Sequence, residues 1–144
     1  MKLNKILLYW LGIVFTFLFS TCDTPNNTSD RIPSVYVNYQ VNLLDPNQAV
    51  PNNGGYRYIS GVGYKGILLY KDNTGNYLAF ERACSYQPTN TCEIVEMDAS
   101  QLFFKCKCCS STFDFKGAVT GGVATWPLNR YSTSVNGNIL QISN

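Results

Sequence analysis

The sequence predicts an all-β domain, an antiparallel sandwich or barrel with two cysteine-bearing loops at one end. Three observations carry the fold class. No stretch after residue 22 sustains a helical period. Short runs rich in Val, Ile, Tyr, Phe and Thr recur about every 8–12 residues, with turn residues between them. Asn136-Gly137, set between "RYSTSV" and "NILQI", is a strong signal for a two-residue hairpin.

The elements follow in order. "VYVNYQVNLL" (Val35–Leu44) alternates, so Val35, Val37, Tyr39, Val41 and Leu43 share one face of a strand. "DPNQAVPNNGG" reads as a loop. "YRYIS" and "KGILLYK" read as strands split by Gly61 and Gly63, and "DNTGN" (Asp72–Asn76) turns the chain into "YLAFER" (Tyr77–Arg82) as a hairpin. "CEIVEM" and "QLFFKC" are short strands joined by "DAS". "TFDF" is another, ended by Lys116-Gly117. "AVTGGVATWPLN" reads as a glycine-containing loop before the final hairpin. There is no internal repeat and no low-complexity tract.

The N-terminus decides the compartment. Lys2 and Lys5 precede an uncharged apolar run, Ile6–Phe19, and Ser20-Thr21-Cys22 follows. A basic start, a short apolar core and small residues describe a secretory signal, and the run falls short of the roughly 20 residues of a spanning helix. "STC" resembles the lipobox of bacterial lipoproteins. That resemblance implies cleavage after residue 21, lipid on Cys22, and a place in the bacterial cell envelope, facing the periplasm or the cell surface. Residues 22–33, polar and proline-containing, read as a tether, and 34–144 as one domain. Loss of residues 1–21 removes Lys2 and Lys5 from the 11 Lys and Arg, so the remainder balances the 9 Asp and Glu. No basic stripe suggests nucleic acid as a partner. Attraction to a membrane comes from the lipid.

Six cysteines and no histidine define the chemistry. Apart from Cys22, they fall in two groups, "CSYQPTNTC" (Cys84–Cys92) and "CKCC" (Cys106–Cys109), each following a strand. Five is odd, so intramolecular disulfides cannot pair them all. Two such loops at one end of a β-domain make either a metal site or a disulfide staple.

The stretch "CKCCSSTFDFKG" (Cys106–Gly117) resembles the second loop of Rieske iron–sulfur domains, C-x-C-H-G-S followed by an aromatic residue, often Asp, and Gly. The resemblance covers about residues 34–144. It implies an all-β fold with a [2Fe–2S] cluster held by two cysteines and two histidines, and a disulfide linking the loops. Cys84 and Cys106 fall on the cysteine ligands. Cys92 and Cys108 fall on the disulfide pair, and Ser111 on a serine that hydrogen-bonds near the cluster. "TWPL" (Thr125–Leu128) takes the place of a proline-containing loop that covers the cluster. One insertion within "SYQPTNT" lengthens the first loop. Tyr86 and Cys109 stand where the histidines would be.

Three states follow from that departure. A [2Fe–2S] cluster takes Cys84, Cys106, Cys109 and either Tyr86 or Cys92. A zinc ion takes a closed site of four sulfurs. In a degenerate site without cofactor the thiols become disulfides, Cys92–Cys108 and Cys84 with Cys106 or Cys109. The inherited role is one-electron transfer with a redox protein partner. The alternative is a structural or binding protein of the envelope, with the aromatic residues as a carbohydrate- or peptide-binding surface. The chain is not read as an enzyme: it has no His for a triad, no phosphate loop and no second domain for a mononuclear iron site. Asp114 and Glu93 read as turn-forming or solvated.

Overall fold

The computed structural model describes residues 32–50 and 52–144. Residues 1–21, Cys22 and nearly all of the expected tether lie outside the described residues. The described residues form ten strands: β1 (Asn38–Asn42), β2 (Tyr56–Ile59), β3 (Ile67–Lys71), β4 (Tyr77–Glu81), β5 (Val95–Met97), β6 (Phe104–Cys106), β7 (Thr112–Phe113), β8 (Val119–Gly121), β9 (Arg130–Asn136) and β10 (Ile139–Ser143). One sheet runs β1-β10-β9-β4-β3-β2 and the other β5-β6-β7-β8. Every named strand pairing is antiparallel. The fold is all-β and antiparallel, with both cysteine groups on loops that leave one end of it. Among the described residues no helix is long and apolar enough to cross a membrane.

Burial explains the sequence pattern. β1 alternates because one face meets water: Val37 and Val41 are buried while Asn38, Gln40 and Asn42 are exposed. β3 and β4 read as continuous apolar runs because both faces are covered. Ile67, Leu69 and Ala79 pack with Val37, Val41, Ile59, Leu140 and Ile142. Leu68, Tyr70, Leu78 and Phe80 point the other way and meet Val95, Met97, Phe104 and Phe113 of the second sheet. The Phe104 ring touches those of Tyr70, Phe80 and Phe115 with centroids 5.4–5.8 Å apart. The middle strands of the larger sheet therefore separate two cores, and the cysteine loops grow from the core shared by the two sheets.

Aspartates set the turns. Asp72 Oδ1 accepts bonds from Thr74 N, Thr74 Oγ1 and Asn76 N at 2.7–2.9 Å, and these hold its carboxyl down to about 2. Asp114 Oδ1 does the same for Lys116 N and Ala118 N, and Asp98 for Ser100. Asp114 is thus turn-forming, as expected.

Two local expectations need correction. "AVTGGVATWPLN" is not all loop: Val119–Gly121 pairs with β7 as β8, through a register shift that its glycine and small residues allow. The last hairpin turns at Gly137-Asn138, one residue later than expected, since Asn136 pairs with Ile139. Gly137 takes the positive φ of 56° at the first central position, where glycine costs least.

Candidate metal centre

Three loops converge beyond β4, β6 and β8. The first runs from Arg82 to Ile94 and carries Cys84 and Cys92. Its limbs are zipped by Cys84 N to Glu93 O (3.0 Å) and by the Ala83–Ile94 bridge. The second leaves β6 at Cys106 and returns through Ser111, with Lys107 N bonded to Ile94 O and Cys106 N to Ser111 O. A disulfide joins the two: Cys92 and Cys108 are bonded, with Cα atoms 5.7 Å apart. The third loop closes over them. Ser85 Oγ donates to Trp126 O at 2.5 Å, and Val123 N and Ala124 N donate to Ser111 Oγ at 3.1 and 2.9 Å.

That framework brings Cys84, Cys106 and Cys109 together as free thiols, with Glu93 as a fourth group. The four donor atoms all lie within 4.8 Å of one another. Cys84 Sγ and Cys109 Sγ are 3.6 Å apart, and Cys106 Sγ donates to Glu93 Oε2 at 2.6 Å. Cys84, Cys106 and Glu93 are buried and Cys109 half-buried. Ser111 Oγ stands 3.2 Å from Cys109 Sγ. Two backbone N–H groups already occupy the lone pairs of that hydroxyl, so its own proton is free to stabilise a Cys109 thiolate.

The thiols share protons unequally. A hydrogen bond to Cys106, then burial, pushes the Cys84 thiol up. The same bond, from Cys84, brings Cys106 down to about 7. Burial raises Cys109 against the lowering bond of Ser111. At 2.6 Å, Cys106 and Glu93 need a proton or a cation between them, because two adjacent buried anions repel strongly. Lys65 supplies nearby positive charge. Its ammonium bonds Asn90 O and, at 3.3 Å, Glu93 O, while burial draws its basicity down.

The four grouped donors lie closer together than the two ligand pairs of a two-iron cluster do. Such a cluster takes two ligands on each iron, so its ligand pairs stand apart across the cluster. Here all four donors crowd into the coordination sphere of one ion. A tetrahedron of 2.3 Å bonds has edges of about 3.8 Å.

The structure bears on each ligand expectation. Cys92 is committed to the disulfide and is not a fourth ligand. A four-sulfur zinc site lacks its fourth thiol among the described residues, which leave three free. The degenerate reading expected a second disulfide, and Cys84, Cys106 and Cys109 are instead unbonded. Tyr86 is half-buried against the core, and its phenol oxygen accepts from Gln87 Nε2 at 3.4 Å. Glu93 is not solvated. It is 3% exposed, because its neighbours Cys84 and Cys106 lie inside the same loop pair. Sequence reasoning missed its role, although its position next to Cys92 was a usable signal: a staple that pulls in Cys92 pulls in Glu93.

No protein-family model matches the chain, and no curated protein matches it. Among solved structures, it is similar to the crystal structure of the cyanobacterial plasma membrane Rieske protein PetC3 from Synechocystis PCC 6803. The likeness has 25% identity and a TM-score of 0.46, and covers 55% of this chain and 77% of that one.

Proposed function

We propose that this chain is an envelope lipoprotein, anchored by lipid on Cys22, whose β-domain is a Rieske-like module that moves single electrons through a thiolate-held metal centre. The observation that carries the reading is the convergence of three free thiols, Cys84, Cys106 and Cys109, from two stapled loops. In the second-loop motif Cys109 takes the place of a histidine, and a thiolate there keeps the position a metal ligand. The chain itself orients the ligands: Ser111 fixes Cys109, the Cys92–Cys108 bridge fixes the loops, and Lys65 tempers the negative charge. When bound, a redox metal supplies the electron storage. A protein partner would dock on the covering loop, where Val123 and Trp126 are exposed. Nothing here asks for catalysis by this chain alone.

A second reading is a cofactor-free envelope protein with a structural or binding role. The 3.6 Å contact of Cys84 and Cys109 favours it, because a short movement would let oxidation join them.

Anaerobic purification of the full chain, metal analysis and a redox titration decide between the two. A stoichiometric transition metal with a reversible one-electron wave supports the first. A colourless protein with two disulfides and no bound metal would support the second. Labelling with a fatty-acid analogue, lost in Cys22→Ala, tests the anchor.

A further inference from the structure

We propose that Glu93 is the fourth ligand, and that the pocket holds one tetrahedral first-row transition ion, iron or zinc, through three sulfurs and one carboxylate oxygen. The proposal deepens the reading of the thiols as a metal centre and rests on it.

Size argues first. All donors lie within 4.8 Å of one another. The two sulfurs 3.6 Å apart match the edge of a single-ion tetrahedron, about 3.8 Å. Cys106 Sγ and Glu93 Oε2, 2.6 Å apart across a shared proton, open to such an edge when an ion replaces that proton. The Glu93 carboxylate is the second argument. Buried carboxylates need donors or cations around them. Glu93 is 3% exposed, yet the side-chain hydrogen bond it accepts comes from a thiol, Cys106. Glu81 shows what a purely structural buried glutamate looks like in this domain. Its carboxylate accepts Tyr64 N, Lys65 N, Ala83 N and Tyr131 Oη at 2.7–3.0 Å. Glu93 has no such set. Its partner is a group that gives up a proton when a metal binds.

Charge agrees with this. Three thiolates and a carboxylate carry four formal negative charges, of which a divalent ion cancels two. The Lys65 ammonium, bonded to Glu93 O at 3.3 Å, offsets part of the rest. Three soft sulfurs with one harder oxygen suit zinc and iron and disfavour calcium or magnesium. Binding releases the protons of all three thiols to solvent, that of Cys106 from its place between sulfur and carboxylate, and the three sulfurs and the Glu93 oxygen turn to the ion. Three S–H bonds are exchanged for three metal–sulfur bonds, and no oxidant is needed.

The test uses the full-length chain, purified anaerobically in detergent with the Cys92–Cys108 disulfide intact. Iron(II), zinc and cobalt(II) are titrated separately, and acid-labile sulfide is assayed. The expected result is one ion per chain, no sulfide, and visible cobalt bands of a tetrahedral thiolate site. Glu93→Gln keeps an acceptor for Cys106 and should leave the fold intact, yet weaken binding at least tenfold. Glu93→Cys should restore affinity and strengthen the sulfur-to-cobalt charge-transfer absorption. Iron or zinc at this stoichiometry supports the site. Iron with a reversible one-electron wave also supports electron transfer, whereas zinc alone, which has no redox couple, would overturn electron transfer while sparing the site. Two irons with two sulfides per chain would overturn the single-ion site while sparing the metal-centre reading. Unchanged affinity in Glu93→Gln, with binding abolished in Cys106→Ala, would overturn Glu93 as ligand alone. No binding of any of the three ions would overturn both.

Discussion

Two buried glutamates sit at the ends of the same cysteine loop and are built in opposite ways. Glu81, at the end of β4, is 1% exposed and closed in by two backbone N–H groups of the β2–β3 loop, one of its own loop, and the Tyr131 hydroxyl. That phenol is held protonated by burial and by the carboxylate it serves. Glu93, just before β5, is as deeply buried but surrounded by thiols. The backbone follows suit. Around Glu81 the chain turns on glycines: Gly63 has φ of 78°, and a Cβ there would fall 2.6 Å from Glu81 Oε2. Around the thiols, left-handed conformation falls on residues that carry a Cβ, Ser110 and Gln87, as well as on Gly122, which packs against Ser111. The first region is relaxed and satisfied. The second carries strain and exchangeable protons, as sites do and structural cores do not.

The largest effect should follow from Glu81→Ala. It strands four donors in a buried space, each worth about 1–3 kcal/mol when left without a partner. Some will find water, so the expected loss is about 4 kcal/mol, read as a lower urea midpoint with an unchanged slope. A loss under about 1 kcal/mol would break the contrast, since Glu81 would then not be structural.

Next is the staple. Cys92 and Cys108 are 16 residues apart, and the bridge should contribute about 3 kcal/mol. Cys108→Ser should lower the urea midpoint accordingly. It should also weaken metal binding, because the two loops lose the link that sets their distance. A negligible change would mean that the backbone bonds Cys84 N–Glu93 O and Lys107 N–Ile94 O hold the loops unaided.

Much of the fold and the place of the site are legible in the sequence alone. Strand alternation located β1, the turn residues located the β3–β4 hairpin, and two cysteine groups after strands placed a site at loop tips. Local chemistry fixes such features, so a sequence displays them. The two glutamates were not legible. Each stands at an element boundary where periodicity has lapsed, and each is buried by residues far away in the chain: Tyr131 lies 50 positions from Glu81, and Cys106 13 from Glu93. β8 was hidden for a related reason. Its two-residue partner β7 and its glycine give little pattern to read, and it forms only because the third loop must return over Ser111.

Glu93→Gln should change the stability of metal-free protein by about 1 kcal/mol or less. The amide oxygen still accepts the Cys106 thiol, and the loss of a buried charge offsets the weaker bond. Set beside Glu81→Ala, this difference in urea midpoint measures how far the second glutamate has been released from structural duty. A loss as large as that of Glu81→Ala would return Glu93 to the scaffold.

The smallest effect concerns Ser110, where the resembled motif has glycine. Its φ of 58° lies in the left-handed region, which costs a residue with a Cβ about 1–2 kcal/mol. Glycine removes that strain but adds roughly 0.5–1 kcal/mol of unfolded-state entropy. Ser110→Gly should therefore stabilise the domain by about 0.5 kcal/mol, a small rise in Tm resolvable by repeated calorimetric scans. The backbone at Ser110 lies between Cys109 and Ser111, so relaxing it also loosens the spacing between a thiol and the hydroxyl that orients it. If the serine is tolerated for the sake of the site, Ser110→Gly should gain stability and lose metal affinity together. A gain in both would mean that the strain serves nothing at the thiols, and that the contrast between the relaxed and strained glutamate regions is one of burial alone.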